Sequence, residues 1–480
     1  MEKRTLSSNL WKNKTLIEEI YKTDRNKDLK FREFVMTYRD KSYDAFIVFF
    51  DGMADDSRID DSVLAPLMIL GAVIKAERKL TVEDAVFEAL ITHNQLEAYE
   101  NIEEVIPGIN FGSCALFIDG SDKVFVVDAK GFPMRGVGTA SNELVIKGPQ
   151  QGFVENMRDN VCLIRKIMKN ENLISEEMRI GMKSSTPCSI MYMDGEVDKG
   201  IVDEIRKRMN SIAADFIFDT GELEQLMEER PMSPFSQIMS TERPDLVAIS
   251  LSEGQIAILV DGSSNAMILP IDVTKLMHAS DDKYLRMPYA MFTVGVRTIA
   301  TFLAFVGAGL FVAISSFHHE LLPVELLFAV EVTRDKVPFI TVLEVIILEI
   351  AFELIREAAM RVQGVMGGTL GIVGGLILGQ AAVEARIISP VTIVVVALCG
   401  LCSFAIPNYY LEFSTRLVKY VFIILGYLAG FLGIAAGAVF VGIEMCSLNT
   451  MGIPYFAPFA IKSGRYKNTA FLTRSRRSKV

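Results

Sequence analysis

The residues with the most chemistry to offer lie in an apolar setting. Between Pro338 and Val362 a run of Ile, Leu, Val, Phe and Ala is interrupted by Glu344, Glu349, Glu353, Arg356 and Glu357. On a helix the last four fall within about 100° of arc, and Glu344 sits roughly 140° from Glu349. An ionisable side chain at bilayer depth faces a bundle interior or water, because facing lipid costs at least ~3 kcal/mol. If this helix bordered a symmetry axis, each carboxylate would become a ring, and such rings select cations. These five residues form the candidate pore or gating set. The competing reading is an interfacial helix whose charged face meets headgroups. Glu353, Arg356, Glu357 and Arg361 would then be ordinary i,i+3 and i,i+4 neighbours.

No other stretch assembles a reactive constellation. The chain has no Walker loop, no G-x-G-x-x-G after a strand, no G-x-S-x-G and no H-E-x-x-H. Of His93, His278, His318 and His319 only the last two are adjacent, with no Cys or His near enough in sequence to complete a metal site. Cys114, Cys162, Cys188, Cys399, Cys402 and Cys446 are sparse and irregular, which suits free, buried thiols in a reducing compartment. Cys399 and Cys402 make a C-x-x-C in form only, inside an apolar run without a second pair. The expectation is a protein without enzymatic activity, cofactor or metal.

The elements that must position the charged helix follow from a composition gradient. Residues 286–480 carry 16 Lys and Arg against 11 Asp and Glu; the totals of 49 and 59 leave 33 and 48 for residues 1–285. An acidic, water-soluble part therefore precedes an apolar one. This excludes disorder, a disulfide scaffold and a nucleic-acid binder with a basic domain. Spans of about 20 apolar residues are expected at 289–317, 367–388, 391–406 and 417–443. The stretch 321–362 is either two short spans or a re-entrant, amphipathic segment. Met1–Ile20 is polar with no h-region, so the acidic part is expected in the cytoplasm. The tail from Lys462 holds seven Lys and Arg and no acid, which places it on the same side and makes the crossings even in number. Four full crossings plus a broken segment are favoured over six. Gly367, Gly371, Gly375 and Gly379 recur every four residues, and Gly426/Gly430 and Gly433/Gly437 repeat the spacing. Such faces let helices approach closely, within one chain or between subunits.

The acidic part reads as α+β. Residues 60–106 show helical spacing up to Pro107-Gly108; Cys114–Ile118, a turn at Asp119-Gly120 and Lys123–Val127 then make a hairpin. The pattern returns 142 residues later. Thr241 is placed to cap a helix through Ser252, Gly254 to end it, and Ile256–Val260, Asp261-Gly262 and Ala266–Leu269 to form a second hairpin. A duplicated module is inferred, with helices at 152–169 and 200–209 and a strand at 188–193. The domains are a variable segment 1–44, subdomains 45–148 and 149–285, a transmembrane domain 286–445 of four to six helices, and a basic cytosolic tail 446–480. The fold class is a cytosolic α+β region of two subdomains followed by an all-α, multi-spanning membrane domain.

Pro234, Phe235, Gln237, Thr241, Glu242, Arg243, Pro244 and Asp245, within the run 233–245, are followed by the Gly254–Gly262 segment. In order come Ser280–Tyr284, Phe317-His-His-Glu-Leu-Leu-Pro323, Arg334 with Val337-Pro-Phe339, Glu353–Glu357, Gly371–Ala385 and Pro454–Pro458. Over roughly residues 110–460 this series resembles the A subunit of the GerA-type spore germinant receptors. The family usually has Tyr where Lys283 stands. The resemblance implies an A subunit in the inner membrane of a bacterial endospore, its termini facing the core. It implies a permease-like, nutrient-binding B subunit and a C-subunit lipoprotein as partners. It also implies oligomers, such as pentamers, that form a nutrient-gated channel for monovalent cations. Rival readings are a non-conducting scaffold, a membrane-anchored enzyme, and a transporter subunit, which would show paired broken helices in inverted repeats.

Overall fold

The computed structural model describes residues 6–39, 41–69, 80–132, 143, 147–334, 337–361, 375 and 379–456. They fall into two units, one holding 6–228 and 238–270, the other 229–237 and 271–456.

In the first unit α1 (Leu10–Tyr21) precedes a hairpin of β1 (Leu29–Tyr38) and β2 (Lys41–Phe50). Helical turns within 56–68 and 82–90 follow, then β3 (Leu96–Tyr99), α2 (Ile102–Asn110), β4 (Cys114–Ile118) and β5 (Val124–Val127). The second half runs α3 (Met157–Ile167), β6 (Leu173–Ile180), β7 (Thr186–Met193), α4 (Lys199–Ser211), α5 (Thr220–Met227), β8 (Met239–Thr241), α6 (Pro244–Ser252), β9 (Ile256–Val260) and β10 (Ala266–Leu269). The sheets have strand orders β1-β2-β4-β5-β3 and β6-β7-β9-β10-β8, which are the same permutation. The inferred duplication is thus one of topology. Gly112 and Gly254 follow equivalent helices at φ +87° and +84°, where a Cβ would meet a backbone oxygen at 2.8 Å in each case. Only glycine takes that conformation at no cost.

Strand alternation builds two cores on the first sheet. Phe46, Val48 and Phe50 of β2 face α1 and α2, where Phe46 stacks on Phe117 at 4.6 Å. Ala45 and Ile47 face the helical turns through Ile59, Val63, Leu67 and Leu90. The two halves of this unit are joined by charge. Arg165 of α3 is buried, donates to Asp28 Oδ1 and Asn26 Oδ1 at 2.8 Å each, and lies 4.1 Å from the Phe50 ring. Lys22 pairs with Asp194, and Arg158 with Asp51.

Three expectations change here. The described part of the expected segment 1–44 does not stand apart, since β1 belongs to the first sheet and α1 to its core, and a boundary at 44 cuts through β2. Residues 60–106 are not one helical stretch, because β3 pairs with β5; a four-residue edge strand has too few positions to show a period. Pro107 lies inside α2 instead of ending it.

The second unit comprises α7 (Met287–Phe317), α8 (Val324–Arg334), α9 (Thr341–Arg361), α10 (Pro390–Phe404) and α11 (Tyr409–Ser447). Among the described residues two helices, α7 and α11, are long and apolar enough to cross a membrane, with mean hydropathy 2.1 and 2.2. The ambiguous 321–362 stretch is two helices, α8 and α9. The expected span at 391–406 is the 15-residue α10. Half of the span expected at 367–388 lies outside the described residues. The span expected at 417–443 is not one rod: α11 breaks at Gly430, with φ 58° and ψ −136°. A Cβ on Gly437 would meet Phe422 at 3.1 Å, although 15 residues of straight helix cover about 22 Å. The helix therefore folds back into two limbs, 409–429 and 431–447. His318, just after α7, stacks on Phe431 at 4.2 Å and accepts from its N–H through Nε2 at 3.4 Å, at the start of the second limb.

Glycine packing occurs within this unit. A Cβ on Gly309 of α7 would lie 2.5 Å from Phe422 O, and one on Gly426 of α11 would lie 2.5 Å from Gly309 O. The two backbones touch with no room for a side chain. Of the other glycine series, Gly367 and Gly371 lie outside the described residues, and Gly375 and Gly379 have open space where a Cβ would stand.

Candidate functional site

The charged residues of α9 meet those of the first limb of α11. Glu349 pairs with Lys419, and both side chains are buried. Glu353 pairs with Arg416, whose Nε donates to Oε2 at 3.3 Å. Arg356 donates to Glu412 Oε1 at 2.9 Å and to Ser403 Oγ at 3.1 Å, and lies 4.7 Å from the Phe404 ring. The helices run antiparallel, so the spacings 4 and 3 on α9 meet 3 and 4 on α11. Glu344 is fully buried beside α10; its Oε2 accepts from Ser389 N at 2.8 Å and Thr392 Oγ1 at 3.1 Å. A helix N-terminus favours such a negative charge. Glu357 is exposed.

Three of the five candidates therefore sit in interhelical ion pairs and a fourth caps a helix. The i,i+3 pairing of Glu353 with Arg356 gives way to partners on α11, which lie in an apolar environment and compensate the charge more fully. Glu412, Arg416 and Lys419 went unrecognised as site residues. Their signal in the sequence is a charge order that mirrors Glu349, Glu353 and Arg356. Arg297, the single charge of the first apolar run, is likewise paired: it donates to Asp282 at 2.6 and 2.9 Å. That explains an acid in the Ser280–Tyr284 motif.

The 233–245 motif serves both units, each in its own way. In the helical unit Phe235 is buried, 6.5 Å from the ring of Phe305 and 6.4 Å from that of Tyr455. The Pro234 carbonyl accepts from Ser414 Oγ. Gln237 closes the loop by accepting from Glu229 N at 3.2 Å and donating to Arg230 O at 3.0 Å. In the α+β unit Arg243 is buried and grips Asp245 with two bonds, 3.1 and 2.7 Å. Pro244 opens α6, where its missing N–H costs nothing. Thr241 Oγ1 donates to Glu143 Oε2 at 2.9 Å, and Glu242 N to Oε1 at 3.2 Å. Thr241 therefore ends β8 and does not cap the helix. Burial raises the Glu143 carboxyl above its ordinary value, and these donors offset only part of the rise. Burial also pushes the Cys162 and Cys188 thiols up to about 12, leaving them protonated and unreactive.

A duplicated antiparallel α+β unit, joined in one chain to a helical unit with two membrane-length helices and buried ion pairs, defines a two-part protein of membrane-associating build. The family described as Bacillus/Clostridium GerA spore germination protein matches residues 15–479, and the chain belongs to that family. It is 32% identical to spore germination protein KA of Bacillus subtilis over 93% of this chain and 81% of that one. It is 33% identical to spore germination protein A1 of the same organism, over 87% and 86%. Among solved structures, the crystal structure of the N-terminal domain of the A subunit of the Bacillus megaterium spore germinant receptor GerK3 is 28% identical, covering 56% of this chain and 97% of that one at a TM-score of 0.41.

Proposed function

We propose that the chain is the A subunit of a nutrient-responsive spore germinant receptor, and that copies of it surround an axis to form a ligand-gated channel for monovalent cations. The reading places it in the inner membrane of the endospore as a multi-pass protein with both termini on the core side. It works with a permease-like, nutrient-binding B subunit and a C-subunit lipoprotein, and it catalyses no reaction and holds no cofactor or metal. The observation that carries the channel reading is the charged face of α9 inside an apolar helical unit, since ionisable groups at that depth mark ion pathways. Glu344 Oε1 and Glu349 Oε1 are buried and have no hydrogen-bond partner among the described residues, so each keeps lone pairs that a cation could engage. Nutrient on a partner subunit shifts a closed–open equilibrium only through different affinity for the two states. The scaffold reading draws on a different fact: charges paired inside one chain also serve as static packing.

The test is flux. The chain is reconstituted with B and C subunits, and nutrient-triggered efflux of potassium or rubidium is measured for the native chain and for Glu349→Gln. Nutrient-dependent efflux with altered selectivity in the variant is expected. Absence of efflux from a fully assembled, nutrient-binding complex leaves the scaffold.

A further inference from the structure

The charge order on α9 and on the first limb of α11 admits one alignment. Reading along α9, Glu349, Glu353 and Arg356 meet Lys419, Arg416 and Glu412. A slip of one turn, about 5.4 Å, in one direction sets Glu349 against Arg416. It also sets Glu353 against Glu412 and leaves Lys419 among apolar side chains near Val345. The opposite slip sets Glu353 against Lys419, but Arg356 then faces Arg416 and Glu349 lies beside Ile423. Either way a like-charge contact and a stranded charge arise where water is scarce. The penalty for an uncompensated charge there is large even though an intact pair adds little net stability.

We infer that the three rungs are a register lock, fixing α9 against the first limb of α11 in a single axial alignment. The two helices move as one body. A one-turn ratchet, a common way for packed helices to switch, is closed to this pair, and rearrangement falls to its contacts with other helices.

Two charge swaps separate a lock from simple pairing. Swapping the middle rung, Glu353→Arg with Arg416→Glu, keeps all three pairs and keeps a like-charge clash in both slipped alignments. Swapping the outer rung, Arg356→Glu with Glu412→Arg, also keeps all three pairs, yet makes the three rung positions of α9 all negative and those of the limb all positive, so each slip loses the like-charge contact among these six residues and keeps only its stranded charge. The readout is cysteine cross-linking of the full-length chain in membranes, with the native cysteines replaced by alanine. Val345→Cys with Ile423→Cys reports the native alignment, as both residues lie in one buried apolar cluster. Val345→Cys with Tyr420→Cys or Tyr427→Cys reports the slips. The middle swap is expected to keep the native ratio of in-register to offset cross-links; the outer swap is expected to lower it about tenfold. Arg356→Gln with Glu412→Gln removes the same clashes without adding charge, and lowers the ratio should the outer swap fail to fold. An unchanged ratio in the variants that remove the clashes, or an equal fall in the middle swap, overturns the lock.

Discussion

Arg243 and Asp245 stand two residues apart, and burial makes them depend on each other. With Arg243 removed, Asp245 is left inside without its cation, so Arg243→Ala is expected to cost about 3–5 kcal/mol. Thermal unfolding of the purified protein measures it as a drop in Tm. Asp194 offers a pH test. The hydrogen bond from Lys22, with that residue's charge, holds its carboxyl below the ordinary value of 3.8. Its contribution to stability is therefore present above that value and fades as pH falls below it. The stability gap between the native protein and Asp194→Asn should be widest near neutrality and shrink below about pH 4. A gap that stays constant down to pH 3 removes the pair from the balance. The acid, the base and the cysteines could all be read from the sequence. Their partners could not, because Lys22 and Asp194, or Glu143 and Thr241, are far apart along the chain.

At the scale of elements, hairpins and long helices were legible wherever the local signal was complete. Cys114–Ile118 and Val124–Val127 around Asp119-Gly120 form β4 and β5 as expected, because period and turn chemistry agree within a dozen residues. The span expected at 417–443 folds back on itself instead, a break the sequence does not show because Gly430 differs from any other helical glycine only in its φ and ψ, which contacts with Phe317 and His318 surround. Gly309 escaped notice for the same reason: its need for a bare backbone comes from α11, not from its neighbours. Gly309→Ala and Gly426→Ala each drive a Cβ into backbone, and a loss of at least about 1–3 kcal/mol is expected. Gly442→Ala, with nothing within 4 Å of the added atom, should not destabilise and gains up to about 1 kcal/mol from helix propensity. Heat-induced loss of folded protein in detergent ranks the three, and equal Tm values contradict the close approach.

Over the whole molecule, α7 and the two limbs of α11 expose apolar side chains such as Ile299, Phe302, Leu428, Leu432 and Phe440. Exposed apolar side chains of this kind mark a membrane or protein-interaction face, and on helices of membrane length the expected cover is lipid. The protein should therefore remain with membranes through high salt and alkaline carbonate and leave only with detergent; release by carbonate would count against spanning helices. The division into an acidic α+β region and an apolar helical one, the repeat within the first, and the family were all determined by the sequence. Composition, period and turn residues act over short distances along the chain, and a repeat needs only comparison of the chain with itself. Tertiary structure alone decided that the α9 carboxylates face Lys419, Arg416 and Ser389, that α11 folds back at Gly430, and that the 233–245 motif divides between two units. Each of these depends on which distant segment occupies the space beside a residue. That is settled by the joint packing of whole helices and sheets, where the cost of an unpaired charge or a displaced backbone is levied on both partners at once.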